Sequence, residues 1–144
     1  MRVPEERPRA PFLEFVGAQV EERREGYVRI ALTVEARHLN PHGVMHGGVA
    51  MTLMDSAAAS ALSSLRGQAE VRQASVDMHV AFLAAARVGD ELVAEGKILK
   101  RGRSIAFAET ELRRKSDNEL IATGRVTFAI SLRKRESFFD RMVR

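Results

Sequence analysis

The chain has 144 residues, a length that suits one domain with its own hydrophobic core. Hydrophobic residues make up 45% and charged residues 29% of the sequence, which argues against a disordered chain, a collagen-like fibre and a coiled coil. The sequence contains no Cys, and this excludes a disulfide scaffold, a thiolate nucleophile and any Cys-ligated metal site.

The net charge of +4 is distributed unevenly along the chain. Residues 1–99 hold 11 Lys and Arg against 13 Asp and Glu, a net charge of −2, whereas residues 100–144 hold 12 against 6, a net charge of +6. This basic excess suggests an anionic partner: nucleic acid, a membrane surface or a phosphorylated small molecule. We expect no nucleic acid partner, because aromatic residues make up only 6% of the sequence and few rings can stack on bases.

The two ends of the chain are interpreted as extensions of one folded domain. Residues 1–11 combine three prolines with Arg and Glu, which is typical of a flexible N-terminal tail. The domain is expected to cover residues 12–132, followed by a basic C-terminal extension over residues 133–144. No stretch approaches the ~18 uncharged apolar residues of a membrane span, and the charged N-terminal residues lack the apolar segment of a signal peptide. We therefore expect a cytoplasmic protein without a membrane partner.

In chain order, the first predicted element is a strand over Tyr27–Glu35, where apolar and polar residues alternate. A loop over His38–Gly43 follows it. The loop leads into a helix from about Gly47 to Leu65 that is rich in Ala, Leu and Met and is closed by Gly67.

After Gly67 the alternation typical of strands returns and continues to the end of the domain. It predicts four further strands, at roughly 74–82, 91–99, 104–113 and 120–132. Their connections are too short for crossover helices, so the strands are expected to pair antiparallel. A long helix that is apolar nearly all round needs a sheet wrapped around it. The order of strand, helix and four strands therefore predicts an α+β fold with a central helix.

Asp55 is the most informative single residue. It follows Met51 by four positions and precedes Ala58 and Leu62 by three and seven, which places a carboxylate in an apolar stripe of the helix. Burying an unpaired carboxylate is costly, so something must use or satisfy it. Two interpretations stay open: a functional acid, or a structural Asp bonded to its neighbours or exposed on a less buried helix.

His46, Gly47 and Gly48 open the predicted helix. Glycines at this point leave backbone N–H groups uncovered at the positive end of the helix dipole, where an anion or a developing oxyanion can bind. The alternative is that the two glycines only let the loop turn or let the helix pack closely. A glycine pair at the helix start with an acid two turns later favours a site.

Two other arrangements are considered and set aside. His38, His42 and His46 recur at every fourth position, but Pro41 and Gly43 make a helix improbable there, so we expect no metal site. Loop histidines with fixed tautomers are the simpler interpretation. In a second arrangement, Ser75, Asp77 and His79 would share one face of a strand. Their row of about 13 Å is too extended for a catalytic triad, although it suits a polar face that lines a site or an interface.

The turn Lys100-Arg101-Gly102-Arg103 is strongly basic. Arg offers paired donors for a phosphate and Gly permits a close approach of the backbone. Basic residues at a hairpin turn are equally often simply solvated.

The motifs together resemble a known family, the hotdog-fold acyl-CoA thioesterases of the phenylacetic-acid-degradation (PaaI) type. The resemblance covers nearly all of residues 12–132, and its most specific part is the spacing of Asn40, the His-Gly-Gly sequence and Asp55. The segments that carry it are Asn40, Gly43–Gly48, Asp55, Ser75–Met78, Phe82-Leu83, Lys100–Arg103 and Ala122–Gly124.

The resemblance implies an antiparallel sheet around the helix, a homodimer or homotetramer, and hydrolysis without a cofactor. It implies that Asp55 acts as general base or as nucleophile on the thioester, and that the Gly47 N–H polarises the carbonyl oxygen. Asn40, His46 and Ser75 would assist at the same site. The residues assigned to substrate and CoA binding are Gly48, Met54, Arg101, Gly102 and Arg103. Met51, Met54, Ala57, Ala58 and Ala61 are pocket candidates because they are small or pliable.

Helix geometry adds an independent expectation about this site. Eight residues at ~1.5 Å each separate Gly47 from Asp55 by ~12 Å, too far for both to contact one carbonyl. If both act, the site spans two chains. Two alternatives stay open: a dehydratase or hydratase on acyl thioesters, and a non-enzymatic module that binds or senses acyl-CoA. The preferred acyl group, aryl or medium-chain, stays open as well.

Overall fold

The computed structural model describes residues 10–68, 71–132 and 142. Most of the predicted N-terminal tail and C-terminal extension lies outside the described residues. In the described part of the chain, no helix has the length and hydropathy needed to cross a membrane. The elements are α1 (Pro11–Val16), β1 (Gln19–Arg24), β2 (Tyr27–Thr33), a 3₁₀ turn (Ala36–His38), α2 (Gly47–Ser63), β3 (Val71–Phe82), β4 (Glu91–Arg101), β5 (Ile105–Arg114) and β6 (Leu120–Leu132).

The six strands form one antiparallel sheet in the order β1-β2-β4-β5-β6-β3. The strand that follows α2 therefore lies at one edge of the sheet, beside the last strand of the domain. The long helix packs against the sheet, with its main contacts on β2, β4 and β5. The predicted α+β architecture, a sheet around one long helix, is confirmed.

The core lies between α2 and the sheet. Leu53 and Met54 of α2 pack with Ile30 of β2 and Leu92 of β4, and all four are fully or almost fully buried. Each such side chain contributes about 1.5–3 kcal/mol by leaving water. Gly96 of β4 allows the backbone of α2 to approach the sheet closely, since a Cβ on this residue would lie 2.4 Å from the Ala57 carbonyl oxygen.

Two elements and several boundaries differ from the sequence predictions: β2 ends at Thr33 rather than Glu35, and β3 begins at Val71 rather than about residue 74. The helix α1 and the strand β1 were not predicted, and α2 ends at Ser63 rather than Leu65. The strand β1 is mostly exposed and rich in charged residues, so it lacks an apolar alternation. The helix α1 has Pro in its first turn and only six residues. Proline is compatible with a first turn, and a helix this short shows no full period.

A β-bulge divides β3. The register against β6 shifts between Ser75 and Asp77, so that Val76 has no partner on β6. Ser75 lies opposite the buried Phe128 and faces the helix, whereas Asp77 lies opposite Thr127 on the other face of the sheet. The prediction that Ser75, Asp77 and His79 share one face is therefore wrong, because it assumed an uninterrupted alternation.

Candidate functional site

A cleft of about 440 Å³ opens between α2 and β3. Five polar and four apolar residues line it, and one of the apolar residues is an aromatic residue of α1. The sequence indicated the acid and the serine but not the aromatic ring, because α1 itself was not predicted. The lining residues are Phe12, Met51, Thr52, Asp55, Ser56, Ser75, Val76, Asp77 and Met78.

Asp55 and Ser75 meet in this cleft. The Ser75 hydroxyl donates a hydrogen bond of 2.6 Å to Oδ1 of Asp55. The other carboxylate oxygen, Oδ2, has no partner among the residues that the structure describes, so a water molecule or a substrate atom can approach it. The structure thus joins two candidates that lie 20 positions apart in the sequence.

The burial expected for Asp55 is corrected by the structure. Its stripe on α2 is fully buried only toward the C-terminal end, at Ala58 and Leu62. Met51 is 37% exposed, and Asp55 is half-buried at the mouth of the cleft. The carboxylate is therefore placed between apolar walls while one of its oxygens remains accessible.

The two glycines at the start of α2 differ in the hydrogen bonding of their backbone N–H groups. His46 is the N-cap residue, and its Nδ1 accepts a hydrogen bond of 2.7 Å from the Gly48 N–H. The Gly47 N–H has no partner among the described residues, as expected in the first turn of a helix. Gly48, assigned to substrate binding from the sequence, uses its donor within the cap, and Gly47 keeps a donor for a ligand.

Asn40 organises the loop before α2. Its Oδ1 accepts hydrogen bonds from the His42 N–H at 2.9 Å and from the Val44 N–H at 3.4 Å. The backbone N–H of Gly43 donates to the Asn40 carbonyl and closes the same turn. The side-chain oxygen of Asn40 thus fixes the approach to His46 and the helix start, and its side-chain nitrogen has no partner among the described residues.

The structure corrects the assignment of Met54 to substrate binding. Met54 is 0% exposed and faces the sheet, and Thr110 of β5 donates to its carbonyl oxygen. Consecutive residues of a helix point about 100° apart, so Met54 turns toward the sheet while its neighbour Asp55 faces the cleft. Met51 lines the cleft in its place. The other small candidates, Ala57, Ala58 and Ala61, are buried in the core.

The three loop histidines have separate surroundings. His38 is 4% exposed, its Nδ1 accepts from the Glu35 N–H, and its Nε2 lies 2.7 Å from the Val16 carbonyl. This pattern assigns the neutral tautomer with the proton on Nε2. His42 is exposed and His46 caps α2. Among the described residues, no group of three or more His, Asp or Glu side chains is arranged to hold a metal ion.

The basic turn lies beside a second cleft, of about 810 Å³, between β2, β4 and β5. Arg101 lines this cleft and donates to the Gln68 side chain at 3.3 Å and to the Gly102 carbonyl at 2.8 Å. The Gly102 N–H donates to the Ile105 carbonyl and closes the turn. Arg103 is exposed. Within one chain, these residues do not line the cleft that contains Asp55.

Two basic residues at the end of β5 are paired with acidic residues of the domain. Arg114 pairs with Asp90, Asp117 and Glu119, and Lys115 pairs with Glu21. The hydrogen bond from Arg114 lowers the pKa of Asp117 below its usual value. These pairs tie the β5–β6 turn to its surroundings, and the basic turn at Arg101 and Arg103 remains as a cationic surface.

Comparison with known proteins identifies the family. Residues 42–121 match the family described as the thioesterase superfamily. The chain is 41% identical over 97 residues to acyl-coenzyme A thioesterase 13 of Mus musculus, covering 67% of each chain. Zebra fish thioesterase superfamily member 2 superimposes with a TM-score of 0.72 and 34% identity, over 76% of this chain and 78% of that one. A point mutant of the phenylacetic acid degradation protein PaaI from Thermus thermophilus gives a TM-score of 0.75 and 27% identity, over 83% and 97%.

The fold and the matches together define a hotdog-fold thioester hydrolase. The chain belongs to the thioesterase superfamily. Both the fold and the class of enzyme implied by the resemblance are confirmed.

Proposed function

We propose that this chain hydrolyses acyl-CoA thioesters to the free acid and CoA, as an enzyme of the PaaI type. The observation that carries the proposal is the Ser75–Asp55 hydrogen bond in a cleft with apolar walls. The name of the mouse relative supports CoA as the thiol, and the likeness to Thermus thermophilus PaaI supports the type.

In this proposal Asp55 activates the attack on the thioester carbonyl. Ser75 fixes one carboxylate oxygen, so that the other points into the cleft. As general base, that oxygen takes a proton from water while the water oxygen bonds to the carbonyl carbon, and breakage of the C–S bond gives the free acid. As nucleophile, it bonds to the carbon itself, breakage of the C–S bond leaves an anhydride with Asp55, and water then hydrolyses this anhydride to the free acid. In both routes the sulfur of the broken C–S bond is protonated and CoA leaves as the thiol. Neither route requires a cofactor.

The Gly47 N–H stabilises the negative charge that develops on the carbonyl oxygen. It is a fixed donor in the first turn of α2, at the positive end of the helix, and among the described residues it has no partner. Asn40 assists through the loop that it closes. However, Gly47 and Asp55 lie eight residues apart on one straight helix, about 12 Å, so a single chain does not bring both to one carbonyl.

A homodimer formed through the edge strand β3 solves this problem. The strand has 12 residues and, in the described part of the chain, lies at the end of the strand order beside β6, so it forms a long edge of the sheet to which a further strand can be added. The opposite edge, β1, has only six residues, most of them charged. Antiparallel pairing of β3 with its copy would continue the sheet across the two chains.

The proposed register of this pairing is the one that brings Asp55 of one copy toward Gly47 of the other. Inside one chain, Asp55 lies beside Ser75, and Gly47 lies beside Phe82, whose ring is 3.1 Å from the position of a Cβ on Gly47. A two-fold axis at His79 places the helix-facing side of each β3 on the same face of the joined sheet. With the extra residue at the bulge, Ser75 then lies opposite Phe82 of the second copy. This brings Asp55 of one copy toward Gly47 of the other.

The substrate is an acyl-CoA whose acyl group is aryl or medium-chain and whose nucleotide end binds the basic turn. The apolar side chains Met51, Val76 and Met78 suit an apolar acyl group. Arg103 is exposed and Arg101 is held at the same turn by Gln68, so both can meet the CoA phosphates. A homotetramer would be built from two such dimers.

The test is hydrolysis of a panel of CoA thioesters, measured as release of free thiol. We expect turnover by the wild-type chain and a loss of about 10²-fold or more in Asp55→Asn, which removes the carboxylate but keeps its shape. Asp77→Asn is the matched control. Asp77 borders the same cleft, but its carboxylate lies on the opposite face of the sheet, beside His79. The Asp77→Asn variant is expected to retain near-normal turnover.

The same panel separates the alternatives. Near-normal turnover in purified Asp55→Asn would remove Asp55 from the mechanism. Binding of a non-hydrolysable thioether analogue without any turnover would favour the acyl-CoA binding or sensing module. Addition of water to an enoyl-CoA, or its loss from a hydroxyacyl-CoA, without thiol release would favour the hydratase or dehydratase.

A further inference from the structure

The helix α1 carries two exposed aromatic residues. Leu13 and Val16 turn inward and pack against the core. Phe12 and Phe15 turn outward and are 63% and 73% exposed. A single exposed apolar side chain is common on protein surfaces, so what each of these two rings faces decides whether it has a role.

Only one of these two rings faces the candidate active site. Phe12 lines the cleft that contains Asp55 and Ser75, and Phe15 is not among the residues that line it. The rest of the apolar wall comes from Met51, on α2, and from Val76 and Met78, on β3. At about 440 Å³ the cleft lies within the usual size range of sites that hold small ligands.

The position of Phe12 is fixed from the other end of its helix. Arg37 donates to the carbonyl of Phe15 at 2.6 Å and to that of Val16 at 3.2 Å, and Nε2 of His38 donates to the same Val16 carbonyl at 2.7 Å. These bonds satisfy carbonyls that a helix C-terminus leaves without partners, and the cation also complements the helix dipole. The Phe12 ring is therefore carried by a helix that hydrogen bonds hold in place.

We propose that Phe12 is a specificity-determining residue, whose ring packs against the acyl group of the thioester while Asp55 acts on its carbonyl. This inference rests on the proposed thioesterase function. An acyl group with an apolar body, such as a phenylacetyl or hexanoyl group, is long enough to contact the ring. It binds more tightly because the contact removes apolar surface from water. An acetyl group is too short to gain from this contact. Phe12 thus favours larger acyl groups without taking part in the reaction.

The test compares Phe12→Ala with Phe15→Ala on phenylacetyl-CoA, hexanoyl-CoA and acetyl-CoA. We expect Phe12→Ala to lower kcat/KM about tenfold for the two larger substrates and to change it less than about twofold for acetyl-CoA. Phe15→Ala makes the same change on the same helix and is expected to leave all three values near wild type. Circular dichroism and light scattering establish that each variant keeps its fold and its mass.

Every other outcome refutes the inference, and each of the following outcomes locates the error. If Phe12→Ala lowers all three values equally, or none, while hydrolysis still depends on Asp55, the proposed function stands and the role of Phe12 is refuted. If Phe15→Ala has the same selective effect, the effect belongs to α1 as a whole. A changed mass in Phe12→Ala would assign the ring to a contact between copies. A wild-type chain that hydrolyses none of the three substrates would overturn the proposed function and this inference together.

Discussion

The proposed site can be tested by complementation between two inactive variants. Gly47→Pro removes the backbone N–H that would bind the oxyanion, and Asp55→Ala removes the carboxylate. Both residues lie on α2, Gly47 in its first turn, where proline is tolerated. His46, the residue before it, already has the extended backbone that precedes a proline. Each variant is expected to fold and to be inactive.

The expected recovery follows from the symmetry of the dimer. If each site takes Gly47 from one chain and Asp55 from the other, a mixed dimer has one site with both defects and one intact site. Random pairing of equal amounts makes half of the dimers mixed, so about a quarter of all sites become active. The variants are unfolded together, refolded and assayed for thiol release against wild-type protein treated in the same way. Mass spectrometry measures the fraction of heterodimers.

The control variant is Gly47→Ala. It retains the N–H, but its Cβ lies 3.1 Å from the Phe82 ring, as close as the new side chain in Gly47→Pro. Because Phe82 is largely exposed, its ring can shift, and we expect Gly47→Ala to retain most of its activity. If Gly47→Ala is as inactive as Gly47→Pro, the loss arises from crowding rather than from the missing donor. If confirmed heterodimers show no recovery, the two residues do not meet across an interface, and the shared site is refuted.

Two further predictions concern the interface and the stability of the domain. Because the chain has no Cys, His79→Cys provides a single thiol at the proposed two-fold axis; we expect a disulfide-linked dimer on oxidation, while Asp77→Cys on the same strand face does not cross-link. Equal cross-linking of both, or of neither, would refute the register. Arg114 lowers the pKa of Asp117, so the ionised form stabilises the fold above the usual pKa of 3.8, and this contribution is lost as pH falls through the lowered value. We therefore expect Asp117→Asn to lower the urea midpoint at neutral pH and the difference to vanish in strong acid; a difference independent of pH would contradict this.

The parts of the fold that the sequence predicted are those with strong periodicity. The helix α2 and the strands β2 to β6 each repeat an apolar pattern over seven or more residues, and their order alone led to a sheet around a helix. Asp55 was found in the same way, because a carboxylate in an apolar stripe is conspicuous. The pairing of Asp55 with Ser75 depends on tertiary structure and was available from the sequence only through the resemblance.

The parts that the sequence did not predict are held by contacts distant in the chain. The helix α1 is fixed by hydrogen bonds from Arg37 and His38, about 22 positions away, and β1 is defined by its pairing with β2. Neither element carries a pattern of its own. For this reason Phe12, the aromatic wall of the candidate site, had no indication in the sequence.

The bulge at Val76 shows why the site itself is the hardest part to derive. Along an uninterrupted strand, residues an odd number of positions apart point to opposite faces, so Ser75 and Met78 could not both face α2. The bulge supplies the extra residue that allows it: the polar side chain reaches Asp55, and the apolar one continues the wall of the cleft. The alternation in the sequence runs straight through this point, so it predicts a regular strand with Ser75 on the wrong face. The bulge interrupts the alternation on which the strand prediction depended. The same bulge brings the carboxylate, its hydrogen-bond donor and the apolar wall together in one place.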